Sequence, residues 1–192
     1  MAAQPLLYTL HIQLEPLRIN PPIWRRLRVS GDCTLRRLHH FIQAAMGWQS
    51  SHLHEFVIGM KSYMPQDPDS MGGSGTLDDR KFKLRRLAQE GDRIRYVYDF
   101  GDDWQHVIAV EAVELFDVPG TWCEVMDGAG ACPPEDIGGP TGYQHFLESL
   151  RQPDSEDGKI ALQWFGGQFD PERFDRYSAD CAVLRICNNF WG

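Results

Sequence analysis

The residues best suited to chemistry lie in the stretch YDFGDDWQH, residues 98–106. Asp99 and His106 stand on either side of a Gly-Asp-Asp segment, with Trp104 between them as a candidate binding residue. A carboxylate beside an imidazole fixes the ring tautomer and raises the basicity of the ring, as general bases and metal-binding histidines both require. We therefore predict Asp99 and His106 as a candidate catalytic pair.

This pair depends on a β-hairpin, because residues 94–100 and 104–113 both have strand-like patterns. If the hairpin loop holds an even number of residues, the side chains of Asp99 and His106 emerge on the same face. The alternative is that the aspartates and the glycine only build a tight turn, which both residue types favour. In that case the tryptophan that follows belongs to the core.

A second candidate group is the segment HLHE. On a strand predicted over residues 52–58, His52 and His54 point to one face, a spacing that metal sites use. Zinc normally needs a third protein ligand, which His106 or Asp99 supplies if the two strands lie side by side. The alternative is that these histidines only cover the apolar face of a sheet.

A third group is the stretch IWRRLR, which forms a compact basic and aromatic patch of Trp24, Arg25, Arg26 and Arg28. Guanidinium groups suit phosphates and carboxylates through paired hydrogen bonds. The patch is therefore a candidate site for an anionic ligand or a nucleic-acid backbone. The alternative is that the arginines pair with acids of the protein itself, such as Glu135 and Asp136.

Those two acids lie in the fourth group, ACPPEDIGG, residues 131–139. Two prolines hold the backbone extended before Glu135 and Asp136, and two glycines follow. A stiff loop that presents paired carboxylates suits a cation or an arginine cluster, so both acids are candidate binding residues. A tightly ordered connection would have the same composition.

Composition narrows the class of protein. The chain has 192 residues with 42% hydrophobic and 24% charged, which suits one globular domain. A formal net charge of −8 opposes tight non-specific binding to nucleic acid, which rests on Lys and Arg. The longest apolar runs fall far short of the roughly 20 residues of a membrane span, so no membrane association is expected. Five cysteines without a C-x-x-C pair, after an N-terminus that lacks signal-peptide features, predict free thiols in the cytoplasm.

The remaining pattern places strands mainly in the first half and helices in the second. The predicted elements are strands at 6–14, 23–29 and 52–58 before the hairpin, helices at 35–46, 82–89, 143–150 and 159–165, a helix start at Pro171, and loops at 65–75 and 120–142. Thr34 and Gly47 bound the first helix as its caps. We predict the α+β class: a single domain with an antiparallel β-sheet and helices packed on one face.

Six strings in one order resemble the plasmid pRiA4b ORF-3-like family: PPIWRRL, TL–LHHFIQAAMGW, HLHEF, YDFGDDWQH, ACPPEDIGGPTGY and W–GGQFDPERFD. The resemblance implies that residues 1–175 form one α+β domain with no settled activity. Some members occur as passengers of insertion elements and carry a resolvase-like label, but this chain shows no recombinase signature. Residues 176–192 depart from the family end, and we expect this tail to pack on the domain or on a second copy in a homodimer.

Two positions of the Pro-Pro-Glu-Asp segment depart from the pattern that the resemblance implies. Gly130 stands where relatives often have an arginine, and Ile137 stands where they often have a cysteine. A metal site that uses a thiolate at the second position is therefore not expected in this chain.

Two functions follow as hypotheses. The first is a non-catalytic binding or accessory module of an unknown protein or nucleic-acid complex, associated with mobile DNA, for which no cofactor is expected. The alternative is a metal-dependent hydrolase, such as a phosphodiesterase, with a divalent metal held by His52, His54, Asp99 and His106. Whether the chain is an enzyme stays open at this point.

Overall fold

The computed structural model describes residues 4–16, 19–66, 75–117 and 120–189. Within these ranges no helix is long and apolar enough to cross a membrane. The strands are β1 (Leu6–Leu14), β2 (Trp24–Ser30), β3 (His54–Ile58), β4 (Lys61–Met64), β5 (Leu77–Asp78), β6 (Arg93–Tyr98), β7 (Trp104–Leu115) and β8 (Cys123–Ala129). The α-helices are α1 (Leu35–Met46), α2 (Gly139–Leu150), α3 (Glu156–Phe165) and α4 (Arg176–Asn188), and short 3-10 helices cover Asp79–Lys81 and Leu84–Arg86.

The eight strands form one sheet in the order β5-β4-β3-β6-β7-β1-β2-β8. Every neighbouring pair is antiparallel except β4 and β5, which run parallel. Along β1 buried side chains alternate with half-buried ones, as expected where helices cover one face and solvent reaches the other. The predicted α+β class, one domain built on an antiparallel sheet, is confirmed.

The helix predicted over residues 35–46 is observed with the same ends. The Thr34 hydroxyl accepts a hydrogen bond from the Arg37 backbone N–H, which satisfies one of the free donors of the first turn. Gly47 ends the helix with a φ of 102°, a left-handed conformation that glycine adopts without a Cβ penalty. The apolar stripe of the helix, including Leu38 and Ile42, is fully buried in the core.

Three of the predicted elements are corrected. The loop predicted over residues 120–142 contains β8, an edge strand whose Cys123 and Val125 point inward; glycines close to the strand end masked its alternation. No helix starts at Pro171, because Asp175 provides the N-cap and α4 begins at Arg176. The predicted helix at 82–89 is a single 3-10 turn, and most of the loop predicted at 65–75 lies outside the described residues.

Helix α4 packs against β8 and α1 of its own chain. The backbone N–H of Val125 in β8 donates to the Asp180 carboxylate (2.8 Å), and the Val125 carbonyl accepts from the Arg176 guanidinium (3.2 Å). At the other end, Arg37 of α1 donates to the carbonyl of Ile186 at 2.8 Å. The outward side of α4 carries exposed apolar side chains, Tyr177 and Leu184, and the homodimer stays a prediction.

Candidate functional site

The hairpin loop contains the five residues 99–103 between the paired Tyr98 and Trp104. The even loop that would put Asp99 and His106 on one face is therefore not observed. Asp99 has a φ of 56°, and its Oδ1 accepts the backbone N–H groups of Gly101 and Asp102. This side-chain turn uses one carboxylate oxygen of Asp99 and leaves the other free to face a neighbouring loop.

The structure does not bring His106 to Asp99. His106 is paired in register with Tyr96, and its ring is fully buried. Among the described residues neither ring nitrogen has a hydrogen-bond partner. Burial lowers the pKa of His106 to about 3, so the ring is neutral at physiological pH. Trp104 is also buried, 1% exposed, and belongs to the core.

Asp99 instead faces His52. The Nε2 atom of His52 lies 3.6 Å from Oδ2 of Asp99, 3.2 Å from Oδ1 of Asp136 and 3.9 Å from Oε2 of Glu135. One donor atom each from His52, Asp99 and Asp136 lies within 4.8 Å of the other two. We call these three residues the His-Asp-Asp cluster.

Strand pairing explains the contact between His52 and Asp99. Because β3 pairs with β6, His54 lies opposite Tyr98 and the Leu53 carbonyl accepts the Asp99 N–H at 2.9 Å. The strand that follows His52 and the first hairpin strand are thus neighbours, as a contact between His52 and Asp99 requires. His52 lies just before the strand begins, so it is free to turn toward the hairpin loop.

The Pro-Pro-Glu-Asp loop docks onto the hairpin loop and completes the cluster. The Asp102 carboxylate accepts the Gly138 N–H at 3.2 Å, and a Cβ on Gly139 would lie 2.3 Å from the Asp102 carbonyl oxygen. Trp48 donates its indole N–H to the Pro133 carbonyl at 2.9 Å. These contacts fix Asp136, whose φ of 57° is strained backbone of the kind that gathers at functional sites.

Glu135 is held beside the cluster by two donors. The Tyr98 hydroxyl lies 3.0 and 3.1 Å from its two carboxylate oxygens, and the Gln49 N–H donates to Oε1 at 2.8 Å. Burial and the nearby Glu135 charge raise the pKa of Tyr98, so the phenol remains a donor at neutral pH. Tyr98 carries no obvious signal for this role in the sequence, where it reads as a strand residue.

His54 has a different role from His52. Its Nε2 atom lies 2.8 Å from Oδ2 of Asp79, and its ring stacks on His39 with 3.6 Å between centroids. Asp79, which is fully buried, also accepts two hydrogen bonds from Arg36 at 2.9 and 3.0 Å. This buried ion pair joins the strand β3 to α1 and to the segment after β5. The predicted metal set of His52, His54, Asp99 and His106 therefore divides between three environments.

The arginine patch is not a single surface. Arg25 is 2% exposed and donates to four backbone carbonyls, those of Trp24, Ala45, Ala129 and Gly130. Arg26 binds Glu111 through two hydrogen bonds, while Arg28 lies near Glu114 and Glu124. Trp24 packs beside the Arg26 guanidinium. Arg26 and Arg28 thus pair with acids of the protein other than Glu135 and Asp136, whereas Arg25 is held by backbone carbonyls.

A groove of about 1120 Å³ lies beside Glu135, and none of the three cluster residues lines it. It runs between the C-terminal end of α1, residues 131–135, α3 and the first half of α4, and Glu135 lies on its wall. Asp136 lines a smaller pocket of about 330 Å³ on the other side, and Trp164 borders both spaces. Of the three cluster residues only Asp136 lines either space, so a cation held by the cluster would adjoin the smaller pocket.

The arrangement of the cluster is suited to a divalent cation. One imidazole and carboxylate oxygens are ligands that manganese, magnesium and related ions accept. Among the described residues, no Lys or Arg forms an ion pair with Asp99, Asp136 or Glu135. Three protein ligands leave coordination positions for water or for an atom of a bound ligand.

The fold and this site place the chain in a class of single-domain α+β proteins. The sequence model of the plasmid pRiA4b ORF-3-like protein family matches residues 7–178, and the chain belongs to that family. It is similar to uncharacterized protein y4hQ of Sinorhizobium fredii, with 40% identity over 151 residues that cover 77% of this chain and 76% of that protein. It also resembles the crystal structure of MM3350 from Methanosarcina mazei Go1, a protein of unknown function, with 32% identity, a TM-score of 0.79, and coverage of 91% and 98% of the two chains.

Proposed function

We propose that this protein is a ligand-binding protein that holds one divalent cation at the His-Asp-Asp cluster. The observation that supports the proposal is the convergence of donor atoms from three separate segments within 4.8 Å of one another. Two of the carboxylates belong to residues with positive φ, Asp99 and Asp136. Like charges so close together repel each other unless a cation lies between them.

A binding role is favoured over catalysis because neither candidate general base near the cluster, Glu135 or His106, is free to act. Glu135 is the acid placed to take a proton from a cation-bound water, yet it already accepts hydrogen bonds from Tyr98 and Gln49. His106, the other candidate base, is fully buried and lies in the core. We therefore keep the binding module as the main proposal.

The metal-dependent hydrolase remains the second candidate. One observation favours it: three protein ligands leave open positions at which a cation would lower the pKa of a water molecule. In this version the ligands are His52, Asp99 and Asp136, so His54 and His106 are not part of the metal set. Hydrolysis of a phosphodiester by the metal-loaded protein, lost in Asp136→Asn, would support it.

The structure also bears on the proposed nucleic-acid partner and on the cellular compartment. Since Arg25 is buried and Arg26 is paired with Glu111, the arginine stretch does not support binding to a nucleic-acid backbone. The five cysteines, all free, support a reducing compartment, and we propose the cytoplasm. An association with mobile DNA stays a prediction.

The test is a titration of the purified chain with Mn²⁺ after treatment with EDTA, followed by isothermal calorimetry. We expect one ion per chain, and at least about tenfold weaker binding in Asp99→Asn, Asp136→Asn and His52→Ala. Asn tolerates the left-handed backbone of both aspartates, so these variants remove charge without adding backbone strain.

The matched control is Asp103→Asn in the same loop. Asp103 also has a positive φ, 54°, but its carboxylate contacts Gln105 and lies outside the cluster. Its Mn²⁺ affinity should equal that of the wild type. Equal losses in the control and in Asp99→Asn, or no binding of Mn²⁺, Mg²⁺ or Zn²⁺ by the wild type, would contradict the proposal.

A further inference from the structure

We propose that the space between α2 and α3 is a docking site for an amphipathic helix of a partner protein, with basic residues beside the apolar face of that helix. This interhelical groove is the smaller of the two spaces described above, about 330 Å³. The inference goes beyond the proposed cation site and does not depend on it. Three features carry it: the matched helix faces that form the walls, the exposed apolar side chains, and the acidic charge of the lining.

Both walls of the interhelical groove are helix faces with the same residue spacing. Each set of lining residues follows the pattern i, i+3, i+4 and i+7, which runs along one side of a helix. The sets are Gly142, His145, Phe146 and Ser149 on α2, and Asp157, Ile160, Ala161 and Trp164 on α3. A third helix packs against two others by placing its side-chain ridges between theirs. The walls therefore fit a helix better than an extended strand.

The apolar side chains of α3 are left largely uncovered by the fold. Ile160 is 59% exposed and Trp164 is 52% exposed. The structure describes α3 over its whole length, and Gly158 is its one buried residue. Phe146 of α2 is buried, and its ring lies 6.0 Å from that of Trp164 between centroids. Exposed apolar side chains gathered along a groove mark interaction sites, and the apolar anchors of a docked helix would cover them.

The charge of the lining indicates which kind of helix fits. Asp136 and Asp157 line the interhelical groove, and among the described residues no Lys or Arg does. Acids also exceed bases in residues 139–165, which carry both helices: Glu148, Asp154, Glu156 and Asp157 against Arg151 and Lys159. Basic side chains beside the apolar face of the partner helix would therefore complement this surface. The same charge opposes a second copy of this face, because carboxylates would meet carboxylates.

The experiment is a calorimetric titration of the full chain with a synthetic helical peptide of Leu and Lys, about 14 residues long, whose Leu residues follow the same spacing. The solution contains EDTA, so that the result does not depend on a cation at Asp136. A comparison peptide has Glu in place of every Lys. We expect the Leu–Lys peptide to bind one per chain, and the Leu–Glu peptide to bind at least about tenfold more weakly.

Substitutions locate the peptide in the interhelical groove. Ile160→Ser and Trp164→Ala should each weaken binding of the Leu–Lys peptide by about tenfold, and Asp157→Asn should weaken it by about threefold. Matched controls are Tyr177→Ala, which removes an exposed ring of α4, and Glu90→Gln, which removes an exposed charge before β6. Neither control residue lines the groove, so both variants should bind the peptide like the wild type.

Two kinds of result would overturn this inference. One is equal affinity for the Leu–Lys and Leu–Glu peptides, or equal affinity of Trp164→Ala and Tyr177→Ala for the Leu–Lys peptide, since contact would then not depend on the charge or on the groove. The other is a wild-type dimer in size-exclusion chromatography that Ile160→Ser converts to a monomer, since the groove would then hold a second copy. The cation site is tested separately by the Mn²⁺ titration, so either proposal can fail while the other stands.

Discussion

The Nε2 atom of His52 lies 3.6 Å from Oδ2 of Asp99 because β3 and β6 are neighbours in the sheet. Asp99 is 7% exposed, and its second oxygen is held by the turn that it builds. Its carboxylate therefore has little freedom to move away from the imidazole. A cation between the two side chains would join the end of the hairpin to the entry of β3.

The first prediction is that the cation stabilises the fold. At a free Mn²⁺ concentration about 100 times the dissociation constant, binding adds about 2.7 kcal/mol to the free energy of unfolding. For a chain of this size that corresponds to a rise in Tm of roughly 5–10 °C. Differential scanning fluorimetry should show the rise in the wild type and in Asp103→Asn. A similar rise in Asp99→Asn would place the cation elsewhere.

The second prediction separates two of the buried histidines, His54 and His106. His106→Leu replaces a buried ring whose nitrogens have no partner among the described residues, so we expect stability to be unchanged or to rise by about 1 kcal/mol. His54→Leu removes one partner of buried Asp79, which keeps Arg36, so stability should fall by about 1–3 kcal/mol. Urea unfolding measures both values. A loss of several kcal/mol in His106→Leu would show that the ring has a partner.

The third prediction concerns pH. Burial lowers the pKa of His106 to about 3 and, together with Arg36, the pKa of His40 to about 4, whereas unfolded histidines titrate near 6.5. Between these values the unfolded chain binds more protons, so the free energy of unfolding falls as the pH drops below about 6.5. Each histidine contributes a slope of up to about 1.4 kcal/mol per pH unit.

Urea unfolding at about pH 7.5, 6.5 and 5.5 tests this slope while the carboxylates stay ionised. Between pH 6.5 and 5.5, the free energy of unfolding should fall less in His106→Leu than in the wild type. The difference should approach the contribution of one histidine, up to about 1.4 kcal/mol. An identical slope in the wild type and in the variant would mean that His106 does not resist protonation in the fold.

The fourth prediction contrasts two neighbouring arginines. Arg25→Leu removes the donor from the carbonyls of Ala45, Ala129 and Gly130, two of them in buried residues, so we expect a loss of about 3 kcal/mol or more. Arg26→Ala removes a half-exposed pair with Glu111 and should cost less than about 1 kcal/mol. Equal losses in urea unfolding would contradict the burial that separates them.

The fifth prediction tests the docking of the two loops. In Gly139→Ala a Cβ would meet the Asp102 carbonyl oxygen at 2.3 Å, and the φ of 68° adds backbone strain. Stability should fall by about 2 kcal/mol or more, and Mn²⁺ should bind more weakly because Asp136 moves. Gly47→Ala is the control, since its φ is also positive but nothing lies within 4 Å of the new Cβ. Unchanged Mn²⁺ affinity in Gly139→Ala would show that the cluster does not need this contact.

Local pattern was enough to predict β1, α1 and the hairpin strands, because each has a clear period and defined ends. The cluster could be predicted only in part. His52 and Asp99 came from motifs, but their contact depends on which strands are neighbours, and the presence of Asp136 depends on how two loops dock. The length of the hairpin loop determines where His106 lies. The loop has five residues, whereas an even number would have put His106 and Asp99 on one face.

The roles of Tyr98 and Asp79 could not be predicted from the sequence for a different reason. Each is an ordinary residue in its own segment, and its role arises from a partner far away in sequence, Glu135 for Tyr98 and His54 for Asp79. The role of Arg25 was also not predicted from the sequence. The three arginines of β2 form one basic stretch in the sequence, but strand alternation turns Arg25 inward and Arg26 outward.

The contacts of Val125 with Asp180 and Arg176 have a consequence for how the molecule avoids aggregation. β8 is the last strand of the sheet, and an uncovered edge strand recruits strands from other molecules. Two side chains of α4 occupy the backbone N–H and carbonyl of Val125, so this helix works as a shield for that edge. A chain cut at residue 178, where the family match stops, would lose Asp180 and expose a surface ready for polymerisation.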